Sequence, residues 1–419
     1  MKGREDHYSR SRYKLHGRDK IIDNYFISPT IYPLPGQNLN ILNYFLRKDS
    51  MKQVEDNESM AKKKKVILYN QFESIPRQNK NYLIVAYTDV LGQPRFCSTS
   101  DKTIFGEQCP YSNCHYTCNH SLMSEANLLL MHKHDINMDK LPEIRDPNQI
   151  WLFWLDEANE DTPKYDKLHM NWTMSYKFSA EASLASYGIT LLRQEPLSHN
   201  KFKNWINQNF KQRHNQAICN CQPKKRLQYY YQLRPYFPIV VRGKCIPSNE
   251  SDPTQTSIEF GQKYFAQKFS LKNITGNKCD RNSNCEKNQL TTNKFYLAFE
   301  SQTCSDYITE KFWRAFAHGT IPIVYGPSRE HYLRIAPPNS FIYVDDYKNK
   351  EDLANHLFKI ASNQTEYEKY HKWRQHYHVK YLAEDVDPYR FCELCYRLNT
   401  INDRIWYENM NDWFLEKCR

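Results

Sequence analysis

Glu310 and Lys311 lie near the predicted start of a helix that follows a buried strand at 295–300. Ser305 or Asp306 has the short polar side chain that favours a helix N-cap. The first turn of such a helix presents free N–H groups and a partial positive charge, and Lys311 adds a full charge. Glu310 has the oxygens to accept hydrogen bonds from two hydroxyl groups of a sugar. The pattern indicates a site for an anion and a sugar, with an ordinary surface-exposed helix start as the alternative.

A second basic cluster, Lys224, Lys225 and Arg226, lies where another predicted strand, at 217–221, leads into a helix. Positive charge in the first turn of a helix opposes the helix dipole and lowers stability. A bound phosphate would offset that cost, and an arginine binds phosphate through two N–H groups at once. We interpret the cluster as a second anion site with Arg226 as a candidate ligand. A basic helix start tolerated at the surface is the alternative.

Apolar runs of strand length, the first at 66–69 and the last at 341–344, alternate with helix-like stretches. Continuous apolar strands separated by helices are typical of parallel sheets that are covered on both faces. A polar stretch divides the runs into two sets, so we predict two α/β domains with a cleft between them. The predicted parts are a polar, mobile N-terminal tail or stem, a first domain, a linker, a second domain and a C-terminal segment, at 1–61, 62–190, 191–215, 216–383 and 384–419.

The composition excludes several classes of protein. The 419 residues are 40% hydrophobic and 14% aromatic, which is enough apolar material for a core and excludes wholesale disorder. No apolar run approaches the ~18 residues that cross a bilayer, so we expect neither a membrane span nor a signal peptide in the printed sequence. The net charge of +11 would suit a nucleic-acid binder, but no groove-reading helix or RNA-binding signature is found.

Thirteen cysteines indicate disulfides and an oxidising compartment, with a reduced chain of metal-binding thiols as the alternative. Acceptor sequences for N-glycosylation add weak support in a chain so rich in asparagine, and they occur at Asn57, Asn119, Asn171, Asn249, Asn273 and Asn363. Among them we expect glycosylation at Asn119, Asn171 and Asn273.

The motifs Phe-Tyr-Leu-Ala-Phe-Glu at 295–300, Asp-Tyr-Ile-Thr-Glu-Lys at 306–311 and Ile-Pro-Ile-Val-Tyr at 321–325 together resemble the signature of the α1,3-fucosyltransferases. The resemblance continues to residue 374, and a weaker similarity extends from about residue 66 to Cys418. It implies a GT-B-like α/β fold, in which two Rossmann-like domains face a cleft. It also implies transfer of L-fucose, with inversion, from GDP-β-L-fucose to the 3-hydroxyl of an N-acetylglucosamine in a glycoprotein or glycolipid glycan.

The resemblance assigns roles to the two anion sites. By position, Arg226 and Lys311 correspond to residues that bind the diphosphate, and Tyr307 and Glu310 correspond to contacts with the nucleotide sugar. Glu300 and Ser301 complete the expected donor site, which therefore consists of Arg226, Glu300, Ser301, Tyr307, Glu310 and Lys311. The family usually has Asn where this chain has Ser301, so one hydrogen bond to the donor differs.

The family also uses a glutamate after an aromatic strand of the first domain to deprotonate the acceptor hydroxyl. The strand at 150–155 is followed by Asp156 and Glu157, and Glu157 is the candidate base. Asp156 stays the rival, because two adjacent acids leave the alignment open by one residue. We expect the carboxylate to be partly desolvated at the strand end, which would favour proton uptake.

The resemblance further implies disulfides that tie the C-terminal segment back to the first domain. They would join Cys392 and Cys395 to Cys109 and Cys114, in an order that the sequence leaves open. A zinc site built from these thiols is the alternative.

No obligatory metal is expected, because cations and helix amides suffice to stabilise the departing diphosphate; a divalent cation such as Mn²⁺ would at most stimulate the reaction. Asp385 and Asp387 form a DxD motif outside the signature. The expected partners are GDP-fucose and a glycan acceptor, without nucleic acid.

Two departures from the family keep other functions open. Ser301 motivates a transferase of the same architecture with another nucleotide sugar, and residues 177–186 differ from the family at a segment that bears on the acceptor. An inactive lumenal glycan-binding relative is a further alternative. The acceptor is either a lactosamine antenna or the core of an N-glycan. The family implies the lumenal side of the Golgi and an N-terminal membrane anchor, for which the printed sequence contains no apolar run.

Overall fold

The structure, a computed structural model, describes residues 30–32, 34–35, 41–59, 63–65, 80–143, 145–158, 162–220, 224–242, 283–401 and 405–415. Side chains are described in these ranges except at 50, 52–59, 63–65, 216, 218–220, 224–227 and 240–242. The strand predicted at 66–69 lies outside the described residues. No helix in these ranges is both long enough and apolar enough to cross a membrane.

The described strands are β1 (Lys63–Lys65), β2 (Tyr82–Ala86), β3 (Cys114–Thr117), β4 (Leu128–His132), β5 (Ile150–Leu155), β6 (Trp172–Ser175), β7 (Ile189–Leu192), β8 (His214–Asn220), β9 (Ile239–Arg242), β10 (Asn293–Phe299), β11 (Ile321–Tyr325), β12 (Ile342–Tyr343), β13 (Tyr377–Lys380) and β14 (Ile405–Tyr407).

The described α-helices are α1 (Leu42–Ser59), α2 (Asp101–Phe105), α3 (His199–Gln212), α4 (Lys224–Leu233), α5 (Asn284–Thr292), α6 (Glu310–Ala317), α7 (Arg329–Ile335), α8 (Lys350–Ser362), α9 (Gln364–Lys369), α10 (Ala383–Thr400) and α11 (Met410–Leu415). Short 3₁₀ helices cover His120–Glu125, Lys133–Asp135, Pro163–Leu168, Val344–Asp346 and Lys372–Gln375.

The first domain is built on a parallel sheet of five strands in the order β3-β2-β4-β5-β6. Its central strand β4 is buried along its whole length, as a strand covered on both faces must be. The apolar run Ile150–Leu155 pairs with it in register, with Leu130 opposite Leu152. The sheet therefore forms where continuous apolar runs predicted it.

The second domain repeats this plan with a parallel sheet in the order β12-β11-β10-β8-β9. In each sheet the first strand along the chain lies between the second and the third, so the chain runs outward in both directions from that point. Ligands of open α/β sheets bind beyond the carboxyl ends of the strands at such a switch point. The predicted α/β fold with two Rossmann-like domains is confirmed.

The segment at 191–215, predicted as a linker, instead contains the end of β7 and the whole of α3. Phe202 and Ile206, one turn apart on α3, are buried against the second domain, where they share a core with Phe295 and Leu297 of β10. The helix was not predicted because its sequence is mostly polar and only one narrow face is apolar. Strand β7 pairs antiparallel with β13, so the two passages of the chain between the domains lie side by side.

Helix α10 returns to the first domain after the chain has completed the second. Its Phe391, Leu394 and Leu398 lie in one apolar cluster with Ile84 of β2 and Leu130 of β4. Disulfides fix it there, and they join Cys109 to Cys392 and Cys114 to Cys395. The four cysteines are those predicted, and the structure gives the order that the sequence left open. A third disulfide, Cys97–Cys118, was not predicted.

Helix α1 corrects the prediction that residues 1–61 form a mobile tail. Ile41, Tyr44 and Phe45 are buried in the apolar cluster that also joins the two domains. On the same face, Lys48 is fully buried and its Nζ lies 2.5 Å from Oε1 of Glu393 on α10. Burial lowers the pKa of Lys48, and the charge of Glu393 opposes that shift.

We expect Lys48→Met to lower the free energy of unfolding by about 3 kcal/mol, because it leaves the buried Glu393 carboxylate without its main counter-charge. Urea unfolding with intact disulfides, followed by tryptophan fluorescence, measures the change. Lys203→Met is the matched control, since Lys203 is partly exposed beside Glu368 and should cost less than ~1 kcal/mol. Equal losses for the two variants would contradict a docked α1.

Candidate functional site

Two helices of the second domain begin at the same edge of its sheet. Strand β8 ends at Asn220 and α4 begins at Lys224, while the neighbouring strand β10 ends at Phe299 and α6 begins at Glu310. Strands β8 and β10 flank the switch point of this sheet, so both helix N-termini lie at the ligand-binding edge. Arg226 belongs to the first turn of α4, but its side chain lies outside the described residues.

The Glu300 carboxylate, directly after β10, accepts hydrogen bonds from Thr309, the residue that precedes α6. Its Oε1 accepts a hydrogen bond of 2.8 Å from the N–H of Thr309, and its Oε2 accepts one of 2.8 Å from the Thr309 hydroxyl. Lys311 Nζ donates to the Thr309 hydroxyl oxygen at 2.7 Å and lies 3.4 Å from Oε2 of Glu300. Burial raises the pKa of Glu300, and the Lys311 charge opposes the shift. Glu300 is therefore a buried support for Lys311, while Lys311 and Glu310 stay partly exposed.

The helix start differs from the predicted one. Thr309 is the N-cap residue and α6 begins at Glu310, whereas Ser305 or Asp306 was the predicted N-cap. Sequence reasoning passed over Thr309 because Ser305 and Asp306, which are better capping residues, precede it. The Thr309 hydroxyl does not cap the helix, since it donates to Glu300 instead.

Asp306 fixes the loop before α6. Its backbone has a φ of 65°, and its carboxylate accepts hydrogen bonds from His331 Nδ1 at 2.6 Å, Arg334 at 3.2 Å and the N–H of Phe178 at 3.0 Å. Burial alone would raise the pKa of Asp306, but the His331 hydrogen bond and the two basic side chains lower it to about 2. Because Phe178 belongs to the first domain, this carboxylate connects the two domains.

Glu157 and Tyr307 meet across the cleft. The Tyr307 hydroxyl donates to Oε2 of Glu157 at 3.0 Å, and the Ser301 hydroxyl lies 3.5 Å from the same phenol oxygen. Tyr307 is buried, and its ring packs edge-on against Tyr176 with centroids 4.9 Å apart. Burial, together with the Glu157 charge, raises the pKa of Tyr307, so the phenol is a proton donor in this pair. The Glu157 side chain is exposed, and the expected partial desolvation of this carboxylate is wrong.

Asp156, the rival candidate base, is bound on the opposite side of the strand end. Arg390 of α10 donates to both of its carboxylate oxygens, and Trp154 Nε1 donates to Oδ2 at 2.7 Å. Both carboxylate oxygens of Asp156 are occupied by Arg390, whereas Tyr307 donates to one oxygen of Glu157, so Glu157 is the better candidate. Sequence reasoning missed Arg390, which carries no signal except its place two residues before a predicted disulfide cysteine.

The structure describes two of the three asparagines that were expected to carry glycans. Asn171 is a correction, because its side chain is buried and its Nδ2 donates to the carbonyl of Ile405 at 3.0 Å, which leaves no room for a glycan. Asn119 is exposed, and Asn273 lies outside the described residues.

The two acids of the DxD motif lie on α10, where Asp387 pairs with Arg95 and Asp385 with Lys380. Within the described part of the chain, no group of three or more His, Cys, Asp or Glu is arranged to hold a metal ion.

Asp306→Asn should lower the free energy of unfolding by about 2 kcal/mol near pH 6, and this loss should shrink as the pH falls towards 2. The pKa of Asp306 is about 2 in the fold against an ordinary 3.8, so its stabilisation is full above pH 4 and is lost below it. Asparagine tolerates the left-handed backbone at this position. Urea unfolding at several pH values measures the effect, with the exposed Asp139→Asn as control. A loss that is independent of pH would contradict the assignment.

Comparison with known proteins gives two family matches that together cover most of the chain. Residues 61–188 match the family described as "Fucosyltransferase, N-terminal", and residues 205–413 match "Glycosyltransferase family 10 (fucosyltransferase) C-term". Residues 189–204 lie between the two matches, and they include β7, where the chain first leaves the first domain.

Among curated proteins, the chain is 27% identical over 317 residues to alpha-(1,3)-fucosyltransferase 7 of Mus musculus, covering 72% of this chain and 69% of that protein. It is 28% identical over 294 residues to 4-galactosyl-N-acetylglucosaminide 3-alpha-L-fucosyltransferase 9 of Homo sapiens, covering 68% of this chain and 70% of that protein. A solved structure of an alpha1,3-fucosyltransferase with GDP-fucose matches with a TM-score of 0.41 and 15% identity, covering 80% of this chain and 95% of that one.

Proposed function

The chain belongs to glycosyltransferase family 10, the fucosyltransferases, and from this membership we propose that it is an inverting α1,3-fucosyltransferase. It transfers L-fucose from GDP-β-L-fucose to the 3-hydroxyl of an N-acetylglucosamine in a glycoprotein or glycolipid glycan. The relatives named above carry this activity in their names, and one of them names an N-acetylglucosaminide acceptor. The observation that carries the proposal is the meeting of Glu157 and Tyr307 across the cleft, beside two helix N-termini that face a common ligand edge.

The donor diphosphate would bind at the shared edge of β8 and β10. The N-terminal N–H groups of α4 and α6 and the charges of Arg226 and Lys311, both in the first turns of these helices, would stabilise the negative charge that develops on the leaving GDP. Lys311 is already oriented by Thr309 and Glu300, so little reorganisation is needed as the bond breaks. Glu310, at the first position of α6, is the proposed partner of sugar hydroxyl groups.

Glu157 is the proposed general base. Its carboxylate takes the proton of the acceptor hydroxyl while the acceptor oxygen bonds to C1 of fucose, and the bond from C1 to the diphosphate oxygen breaks on the opposite face. The exposed position of Glu157 lets an acceptor approach it directly. Tyr307 donates to one carboxylate oxygen and leaves the other for the incoming proton, and Ser301 lies beside that phenol.

The proposal is tested by mass spectrometry of products made from GDP-fucose and a small acceptor set that includes a lactosamine and an N-glycan core. We expect one added deoxyhexose, removed by an α1,3-specific fucosidase, and turnover that persists in EDTA and is at most stimulated by Mn²⁺. Activity only with another GDP- or UDP-sugar would instead favour the alternative donor that Ser301 motivates. Glycan binding without transfer would favour an inactive relative. Residence on the lumenal side of the Golgi is part of the proposal.

Glu157→Gln should lower kcat by roughly 10²–10⁴-fold, because the amide cannot accept the acceptor proton. GDP-fucose binding, measured by calorimetry, should stay within about twofold of the unmodified enzyme, since the carboxylate makes no proposed contact with the diphosphate. The matched control is the exposed Glu408→Gln, which should change neither value. Normal turnover of Glu157→Gln would move the base elsewhere.

Lys311→Ala and Arg226→Ala should each weaken GDP binding by about 10–100-fold, the worth of one charge-assisted hydrogen bond. Calorimetric titration with GDP measures the loss in the absence of any acceptor. Lys359→Ala serves as control, because this lysine is largely exposed on α8 beside Glu366. If both site variants bound GDP as tightly as the control, the diphosphate site would have to lie elsewhere.

A further inference from the structure

An ion pair with a buried arginine holds Asp156, the residue that precedes the proposed base. Arg390 Nη1 donates to Oδ2 of Asp156 at 2.9 Å, and its Nη2 donates to Oδ1. The Arg390 side chain is 1% exposed, so this arginine has its charge neutralised inside the protein. Two further groups hold Asp156, since Trp154 Nε1 donates to Oδ2 at 2.7 Å and the Tyr187 hydroxyl donates to the Asp156 carbonyl at 2.8 Å. Asp156 is therefore fixed at both its carboxylate and its backbone.

Arg390 is itself held by a rigid support. It lies on α10, two residues before Cys392, and this helix is tied to the first domain through Cys392 and Cys395. The guanidinium carbon lies 5.6 Å from the ring centroid of Trp154, and this buried indole limits its movement. The position of Asp156 is thus set by a helix that follows the second domain in the sequence and packs on the first.

Glu157, by contrast, has an exposed side chain whose described carboxylate partner is Tyr307. Its carboxylate direction depends on the backbone at the end of β5, which Asp156 anchors. We propose that the Asp156–Arg390 pair is a positioning device that directs the Glu157 carboxylate towards the acceptor site, with Arg390 as a positioning residue. This inference rests on the proposed function, because it assigns a cause to the geometry of the proposed base.

A neighbouring ion pair, Asp387–Arg95, provides a control that distinguishes positioning of the base from stabilisation of the fold. Asp387 lies about one turn before Arg390 on α10 and pairs with Arg95, whose guanidinium is also 5.6 Å from the Trp154 ring centroid. The Asp387 side chain is buried, so breaking this pair perturbs the same helix and the same indole. Asp387 also acts on the Arg390 charge. Neither Arg95 nor Asp387 adjoins Glu157 in the sequence, however, so breaking their pair should not move the base.

The test compares Asp156→Asn with Asp387→Asn in the full chain with intact disulfides. Asp156→Asn should lower kcat by about 10–100-fold, since displacement of a reacting group by about 1 Å costs up to 10²-fold, while KM for GDP-fucose stays within about twofold. Asp387→Asn should leave kcat within about threefold. Arg390→Lys keeps the charge but loses the two-pronged geometry, so its kcat should lie between those of the unmodified enzyme and Asp156→Asn.

If Asp156→Asn fails to fold because it leaves the buried Arg390 unpaired, the double variant Asp156→Asn/Arg390→Met replaces it, since this variant removes both charges of the pair. It should fold and still show the low kcat with an unchanged KM for GDP-fucose. Equal kcat values for Asp156→Asn and Asp387→Asn, or full turnover in the double variant, would overturn the positioning role while the transferase activity stands. An unmodified enzyme that transfers no fucose would overturn the proposed function as well, and so the two failures are distinguished.

Discussion

The two domains are held together by a chain that crosses between them twice, and the two crossings pair with each other. Strand β7 leaves the first domain and β13 returns to it, and their antiparallel pairing brings 189–192 beside 377–380. Just before β7 the chain also packs tightly on the second domain, because a Cβ on Gly188 would lie only 2.1 Å from the ring of Trp313 on α6. With the crossings fixed, α10 must pack on the first sheet, and the disulfides then make this return permanent. The Tyr307–Glu157 hydrogen bond joins the two domains beside these crossings.

Ion pairs between separate elements also hold the fold together. Three acids are each paired with a cation from another element: Glu393 with Lys48, Glu300 with Lys311, and the partly exposed Asp156 with Arg390. Burying one such charge alone would cost several kcal/mol, so every pair forces two elements into one arrangement. Lys311 differs from the others in keeping part of its side chain open to the cleft. A cation held by a buried carboxylate yet open to a ligand is suited to receive a diphosphate.

The parts of the fold and of the candidate site that could be predicted from the sequence are those with a local sequence pattern. The strands β5, β10 and β11 appear as continuous apolar runs, and Glu157 follows the aromatic strand β5 in the expected place. The predictions that were wrong concern residues whose environment is set by contacts with distant parts of the chain. The apolar face of α1 is interrupted by Lys48, which makes sense only beside Glu393, 345 residues away. Asn171 satisfies the glycosylation tripeptide, but the tripeptide carries no information about burial. Asp306 has the side chain of a typical N-cap, but in the structure its carboxylate is bound by His331 and Arg334 of α7.

The loop between β10 and α6 combines these constraints at the site. Glu300 holds its far end through Thr309, and Asp306 holds its middle through His331, Arg334 and the N–H of Phe178. Tyr307 follows directly after Asp306, so its phenol reaches Glu157 from a backbone that is fixed on both sides. A phenol presented in this way loses little conformational entropy when it orients a carboxylate, because the fold has already restricted it. The left-handed backbone at Asp306 is strain that the surrounding hydrogen bonds offset, and it turns Tyr307 into the cleft.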